Sequence, residues 1–196
     1  DALFVEDFRS AGLNDRQTIS LALSTWSKRG GILLFERGRE YDIGEISNGN
    51  AIFPISGVKN GTIAGNDASI VAETRVQAAP PIFFLQNCSD ISISDFRARD
   101  SGTDLSKDWQ GMRFIVVDGS LGPCRGLAIK NIEVSDAVAL FCAQGGGPTQ
   151  RISGITLKTL LARRCYYGVN CIENGDDLSG DIMAIDTRRA YFVYGV

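Results

Sequence analysis

The sequence has no histidine at all, and that absence excludes more chemistry than any residue present. Without imidazole there is no Ser-His or Cys-His nucleophile pair, no histidine-ligated zinc and no imidazole general base. Any reaction must run on carboxylates, Arg, Lys, Tyr, Cys or a bound cation. Long apolar runs are missing too: nothing approaches the ~20 residues that a helical membrane span needs. No basic block occurs, and 20 Lys+Arg against 23 Asp+Glu gives a net charge of −3 and a pI near 5.0. That balance argues against a nucleic-acid surface or an anionic-membrane surface. Five cysteines, at 88, 124, 142, 165 and 171, show no metal-ligand spacing, and their odd number points away from a disulfide-built scaffold. What remains is a folded chain of 196 residues, 44% hydrophobic and 22% charged, with 22 glycines.

The composition conceals a repeat. From Val58 onward the chain returns to one pattern, an aliphatic or Cys residue, a turn, then alternating aliphatics. The starts are Val58, Cys88, Cys124, Ile152 and Leu178, spaced by 30, 36, 28 and 26 residues. Period-2 pairs such as Ile91/Ile93, Leu127/Ile129 and Ile155/Leu157 mark half-buried strands. Asp95, Asn131, Thr159 and Asp186 follow these strands at matching places, and Asp and Asn tolerate a left-handed bend. A second strand follows each bend and a third apolar run completes each unit. Three strands per unit of roughly 30 residues, too short for a βαβ crossover, predict an all-β parallel β-helix whose like residues stack at ~4.8 Å.

Residues 1–50 read differently and are expected to form a capping segment ahead of coils over 51–196. Val5–Phe8 is predicted as a short strand. Asn14-Asp15 supplies an N-cap, Arg16–Arg29 carries a helical apolar period, and Gly30-Gly31 closes the helix before a strand at Ile32–Phe35. The apolar last run, Tyr191–Val196, predicts an end covered by further coils or by partner chains, a homotrimer among them.

From Asp7 to Tyr41 the chain runs Asp-Phe-x-x-Ala-Gly-x-Asn-Asp-x-x-x-Ile, then Gly-Gly-x-Leu-x-Phe and Gly-x-x-Tyr. This segment resembles the opening of pectate-lyase-like right-handed β-helix proteins. The group holds polysaccharide lyases, polygalacturonase-type hydrolases, uronate epimerases and phage tailspike depolymerases. The resemblance implies a right-handed, single-stranded parallel β-helix with an N-terminal capping helix. It also implies a polysaccharide partner, hydrolase or lyase activity, and an extracellular or virion-surface setting. The alternative is a non-catalytic spike shaft or glycan-binding module. Gly175-Asp176-Asp177 resembles the paired aspartates of polygalacturonases, but their companion Gly-His-Gly cannot exist in this chain. No cofactor is expected. Asp176, Asp177 and Asp181 offer only a weak carboxylate cluster for Ca2+.

Candidate site residues come from irregularities in the repeat. The second strands end in Asp100, Asp136 and Arg164, a column of charges one coil apart. Two stacked carboxylates either face water beside compensating cations such as Arg99, or form an acid–base pair with separated pKa values. On the second reading Asp100 and Asp136 are the catalytic carboxylates and Arg164 counters developing charge. The 36-residue spacing exceeds its neighbours by a loop over Ser101–Gln110. Within it Trp109, flanked by Asp108 and Gln110, is suited to pack on a sugar ring, with Asp108 and Arg99 as polar partners. Trp109 folded back over the coil edge is the competing account.

Overall fold

The structure is a computed structural model that describes residues 2–107, 109–145, 151–172 and 175–194. The side chains of 172, 175–177 and 192–194 fall outside that description. The chain opens with β1 (Ala2–Phe4), a 3-10 turn at Val5–Phe8, α1 (Asp15–Arg29), β2 (Gly31–Leu34) and β3 (Glu40–Ile46). Then come β4 (Phe53–Ser56), β5 (Lys59–Thr74), β6 (Pro81–Gln86), β7 (Ser89–Asp100) and β8 (Arg113–Asp118). The remainder is β9 (Cys124–Arg125), β10 (Ala128–Ser135), β11 (Ala139–Gln144), β12 (Ile152–Arg163), β13 (Tyr167–Ile172), β14 (Gly175–Ile185) and β15 (Arg189–Tyr194).

Every strand pairing in both sheets is parallel. The first sheet runs β1-β2-β5-β7-β10-β12-β14, with β3 on β5, and the second runs β4-β6-β8-β11-β13-β15. Each strand therefore pairs with its counterpart one coil away, which is the arrangement of a β-helix-like fold. The bends lie where the Asp/Asn pattern places them: Asp95, Asn131 and Thr159 have φ of 61°, 52° and 56°. Asn131 Nδ2 also donates to Asp95 Oδ1 at 2.9 Å, linking two of these bends across the coils. A single left-handed residue turns the long strand through a corner without breaking its ladder, so β7 and β12 each cover two passages.

The registers stack like on like inside. Ile63, Ile93, Ile129 and Leu157 form one inward column, and Phe53, Phe83, Ile115, Phe141 and Val169 another. Phe96 joins Phe35, Phe83 and Phe114 through ring contacts of 4.8–6.1 Å. Each such aromatic pair is worth ~1 kcal/mol beyond its buried area.

At the N-terminal end α1 begins with a capping box between Asn14 and Gln17 and ends at Gly30, φ 69°. Its Trp26 is fully buried and donates to the Gly31 carbonyl at 3.0 Å. Gly61 in β5 lies directly beneath that indole: a Cβ there would sit 2.4 Å from it. The helix thus seals the first coil only because glycine leaves room.

Two local expectations are corrected. Val5–Phe8 is a 3-10 turn and not a strand, because Glu6 turns inward to meet Arg9, Arg39 and Tyr41. The last coil starts earlier than the Leu178 alignment implies: Ile152 pairs with Gly175 and Leu178 with Ile155. Asp186 consequently stacks on Arg164 at the second bend and not on Thr159 at the first.

Candidate functional site

The second bend of each coil is a column of charge. Register places Asp100, Asp136, Arg164 and Asp186 in line, and the last three have φ of 54°, 46° and 50°. Sequence reasoning therefore brings Asp100, Asp136 and Arg164 together correctly in space, but their chemistry differs from the acid–base pair expected. Asp100 is 1% exposed and points inward. Its Oδ1 accepts from the Thr74 and Gly102 amides at 2.9 and 3.0 Å, and its Oδ2 from the Met112 amide at 2.7 Å. A carboxylate saturated by three backbone donors and sealed from solvent holds the two ends of the 101–112 loop together. It does not face a substrate.

Asp136 does face solvent. Arg164 engages both its oxygens, Nε and Nη2 donating at 2.7 Å each. The guanidinium beside it holds the Asp136 carboxyl below the usual carboxylate range, with Arg99 adding to the effect. A general acid needs the opposite shift, and the same lowering weakens a base, so Asp136 is suited to act ionised, as an electrostatic partner or a weak base.

The long loop is anchored by Asp100 and by a short hydrogen bond from Thr103 Oγ1 to the Asp136 carbonyl. Trp109 sits near its end with φ 60°, and the Trp109 carbonyl accepts from the Ala79 amide at 2.9 Å. The indole folds back towards the coils, its ring centroid 6.1 Å from that of Tyr167, yet the residue keeps 39% exposure. Both readings of Trp109 thus describe part of it. Asp108 lies outside the described residues. Arg99 faces outward on β7, 3.4 Å from Glu40.

Beside Trp109 lie two tyrosines that sequence reasoning missed, under the two arginines, Arg188 and Arg189, that it placed near the charged column. Tyr166 and Tyr167 are in ring contact at 4.6 Å, Arg188 lies over Tyr166 at 4.7 Å, and Arg189 over Tyr167 at 5.9 Å. Trp109, Val138, Tyr166 and Tyr167 line a small crevice. Aligning the coils on Asp136, Arg164 and Asp186 would have revealed this edge, since Tyr166-Tyr167 and Arg188-Arg189 follow their bend residues at the same offset.

The outer side of the second sheet continues from this edge. Phe84, Val116, Cys142 and Asn170 stand in one row. Val116, Cys142 and Asn170 are at most 3% exposed although they point away from the main core. Arg113 crosses this face, donating from Nε to the Ala79 carbonyl at 2.6 Å and from Nη1 to Gln144 Oε1 at 3.1 Å. Gln144 in turn donates to Asp118 Oδ2 at 2.7 Å. Burial pushes the Cys142 thiol up to about 12. Among the described residues the buried Asn170 Oδ1 has no hydrogen-bond partner, a cost of ~1–3 kcal/mol for a group that water or a ligand would otherwise satisfy.

All five cysteines are buried and free. Cys88 and Cys124 stack as their positions suggest, but Cys142 is one residue out of register with Cys171, which sends the two to opposite sides of the sheet. Among the described residues no cluster of acid or Cys side chains is arranged to hold a metal ion, and no helix is long and apolar enough to cross a membrane.

No family model and no curated protein matches the chain. Its fold is similar to a crystal structure from Parabacteroides merdae ATCC 43184, described as that of a candidate glycosyl hydrolase. The TM-score is 0.62 at 13% identity, covering 94% of this chain and 96% of that one. Likeness at that identity carries the fold and leaves the activity to be argued from the site.

Proposed function

We propose that this chain is a carbohydrate-active, right-handed β-helix of the pectate-lyase-like kind that binds a polysaccharide along the Trp109–Tyr166–Tyr167 edge and cleaves it. Parallel crossovers in one sheet are right-handed in ~98% of cases, which supports the handedness. The observation that carries the function is the exposed indole of Trp109 packed on Tyr167 beside Arg-covered Tyr166. Flat aromatic faces take the apolar faces of sugar rings, and neighbouring guanidinium groups take hydroxyls or acidic substituents. The hydrolase description of the Parabacteroides protein points the same way. In this reading Asp136 serves ionised as the base and Arg164 counters charge that develops on the substrate. An extracellular or virion-surface setting belongs to the same proposal.

The burial of Asp100 favours a second reading, a glycan-binding coil without catalysis, because it removes one of the two expected carboxylates from the surface. Incubation with a panel of bacterial capsular and plant acidic polysaccharides separates the two. New reducing ends without ultraviolet-absorbing unsaturated uronates identify a hydrolase, and both signals together identify a lyase. Retention on a glycan without either signal selects the binding module. The absence of both retention and cleavage across the panel overturns the proposal.

A further inference from the structure

The outer side of the first sheet carries a second feature, away from the aromatic edge. Between the two bends, Ser69, Arg97, Arg99, Glu133 and Ser135 line an open depression. Register builds it: Ser69, Arg97 and Glu133 fall in one row across β5, β7 and β10, and Arg99 and Ser135 in the next. Parallel in-register pairing repeats these side chains at the ~4.8 Å coil spacing, and residues two apart on a strand share one face. Arg97 and Arg99 therefore project side by side from β7, and both are exposed.

Their charges are poorly matched. Among the described residues Arg97 has no acidic partner within ion-pair distance, and Arg99 has one ion pair, to Glu40 at 3.4 Å with both side chains more than half exposed, besides its longer-range pull on Asp136. The acid on the floor, Glu133, is already held by Arg163 at 2.9 Å, and Asp136 next to Ser135 is held by Arg164. Ser69 and Ser135 line the same depression, and the Ser135 side chain is hydrogen-bonded to the Asp136 carboxylate. In a chain of net charge −3, this is a place where cations outnumber available acids. Two guanidinium groups on one face repel each other unless an anion lies between them, and each can bind a planar or tetrahedral oxyanion through two N–H donors.

We infer that this depression is a second binding site, separate from the aromatic edge, for the acidic substituents of a saccharide, with Arg97 and Arg99 as the anion ligands. The ligand chemistry is an oxyanion, carboxylate or sulfate, on a hydroxyl-rich chain. The site requires no catalysis at the aromatic edge, and it stands whether or not that edge cleaves anything.

The test is affinity electrophoresis of the whole chain in gels containing polygalacturonate, dextran sulfate or neutral dextran, at low and high salt. The expected result is salt-sensitive retardation by at least one acidic polymer, with the carboxylate and sulfate arms showing which oxyanion is preferred. An R97A/R99A double variant, whose substitutions lie on an exposed face, should bind that polymer at least about tenfold more weakly with unchanged circular dichroism. R97K/R99K should fall between the two, because it keeps the charge and loses the two-point geometry. A W109A/Y166A variant should retain the acidic-polymer binding. Absence of binding to both acidic polymers would overturn the inference, as would wild-type affinity in R97A/R99A. If W109A/Y166A alone abolishes binding, the acidic polymer sits on the aromatic edge, and this inference fails while the proposed function stands.

Discussion

The outer sides of the two sheets obey different rules. On the first, side chains alternate as a half-buried strand should: Ile129, Ile132 and Val134 of β10 turn in, and Lys130, Glu133 and Ser135 reach solvent to varying degrees. On the second, Val116, Cys142 and Asn170 point away from the core and are nevertheless buried. A solenoid closes its hydrophobic core from within and has no energetic need to cover its exterior. Where the exterior is covered, by Tyr167 and Arg113 with Trp109 at the rim, the covering places aromatic, cationic and polar groups together. The polar and exposed first face needs no explanation beyond solvation, apart from its unmatched arginines. The shielded second face is where a function explains what folding does not.

The strongest way to break this contrast is to release the loop that carries Trp109. Asp100 joins its two ends through three backbone amides. Asp100→Ala leaves those donors buried and unpaired, at a cost of at least about 3 kcal/mol. For a domain of this size that corresponds to a fall in Tm of roughly 6–12 °C, measurable by calorimetry. An unchanged melting temperature would return Asp100 to the list of surface carboxylates.

That prediction marks where the sequence was readable. The repeat, the left-handed bends at Asp95, Asn131 and Thr159, and the helix from Asn14 to Gly30 all follow from local rules of spacing, φ preference and capping. The column of Asp100, Asp136 and Arg164 was readable for the same reason. The direction of each side chain was not. At a corner of the solenoid, neighbouring coils send the equivalent residue inward or outward, and the backbone amides of an irregular loop decided it for Asp100. Arg188 and Arg189 were legible as neighbours of that column, but their stacking on Tyr166 and Tyr167 was hidden by an alignment of Asp186 with the wrong bend. The coil between Arg164 and Asp186 is shortened to 22 residues, and its Asn-Gly-Asp-Asp run at 174–177 reads as a turn although β14 already begins at Gly175.

Trp109→Ala sharpens the contrast from the functional side. The residue is 39% exposed, so its loss should shift Tm by only a few degrees. Glycan affinity, read by isothermal titration, should fall about tenfold or more if the indole is a sugar platform. Equal affinity with a large loss of stability would make it a cover for Val138 and Tyr167 and nothing else.

Asn170 offers a smaller effect with an informative sign. Its unpartnered Oδ1 is a liability to the fold, and replacing a buried unsatisfied polar group by an apolar one of similar size can be neutral or stabilising. Asn170→Leu should therefore hold or raise stability by up to about 1 kcal/mol. If glycan binding weakens in the same variant, the amide is reserved for a ligand. Destabilisation of several kcal/mol in denaturant would show that Asn170 is tied into the fold.

The smallest effect is the dependence on acid, and the two tryptophans make it resolvable. Trp26 reports on the N-terminal cap and Trp109 on the aromatic edge. Burial on its own would raise the Glu6 carboxyl, but hydrogen bonds from Arg9 and Tyr41 and the charges of Arg39 and Arg9 outweigh it and hold it below the ordinary value. A folded-state pKa below the unfolded one contributes stability that is complete above the unfolded value and lost as pH falls through the folded value. Acidification below the usual carboxylate range should accordingly loosen the cap, and in a W109F background the Trp26 emission should shift to the red. Glu6→Gln should remove most of that pH dependence and lower stability at neutral pH, because the amide cannot form the paired ion contacts to Arg9 and Arg39. Asp136 has the same sign, since Arg164 stabilises its ionised form, so the corner of the first sheet should soften together with the cap. The thiol at Cys142, pushed up by burial, takes no part in this range. Trp109 emission, followed in a W26F background, reports the Asp136 corner through the loop that Thr103 ties to it, so separate Trp26 and Trp109 transitions would resolve cap from edge. Coincident transitions would mean that cap and edge unfold as one unit.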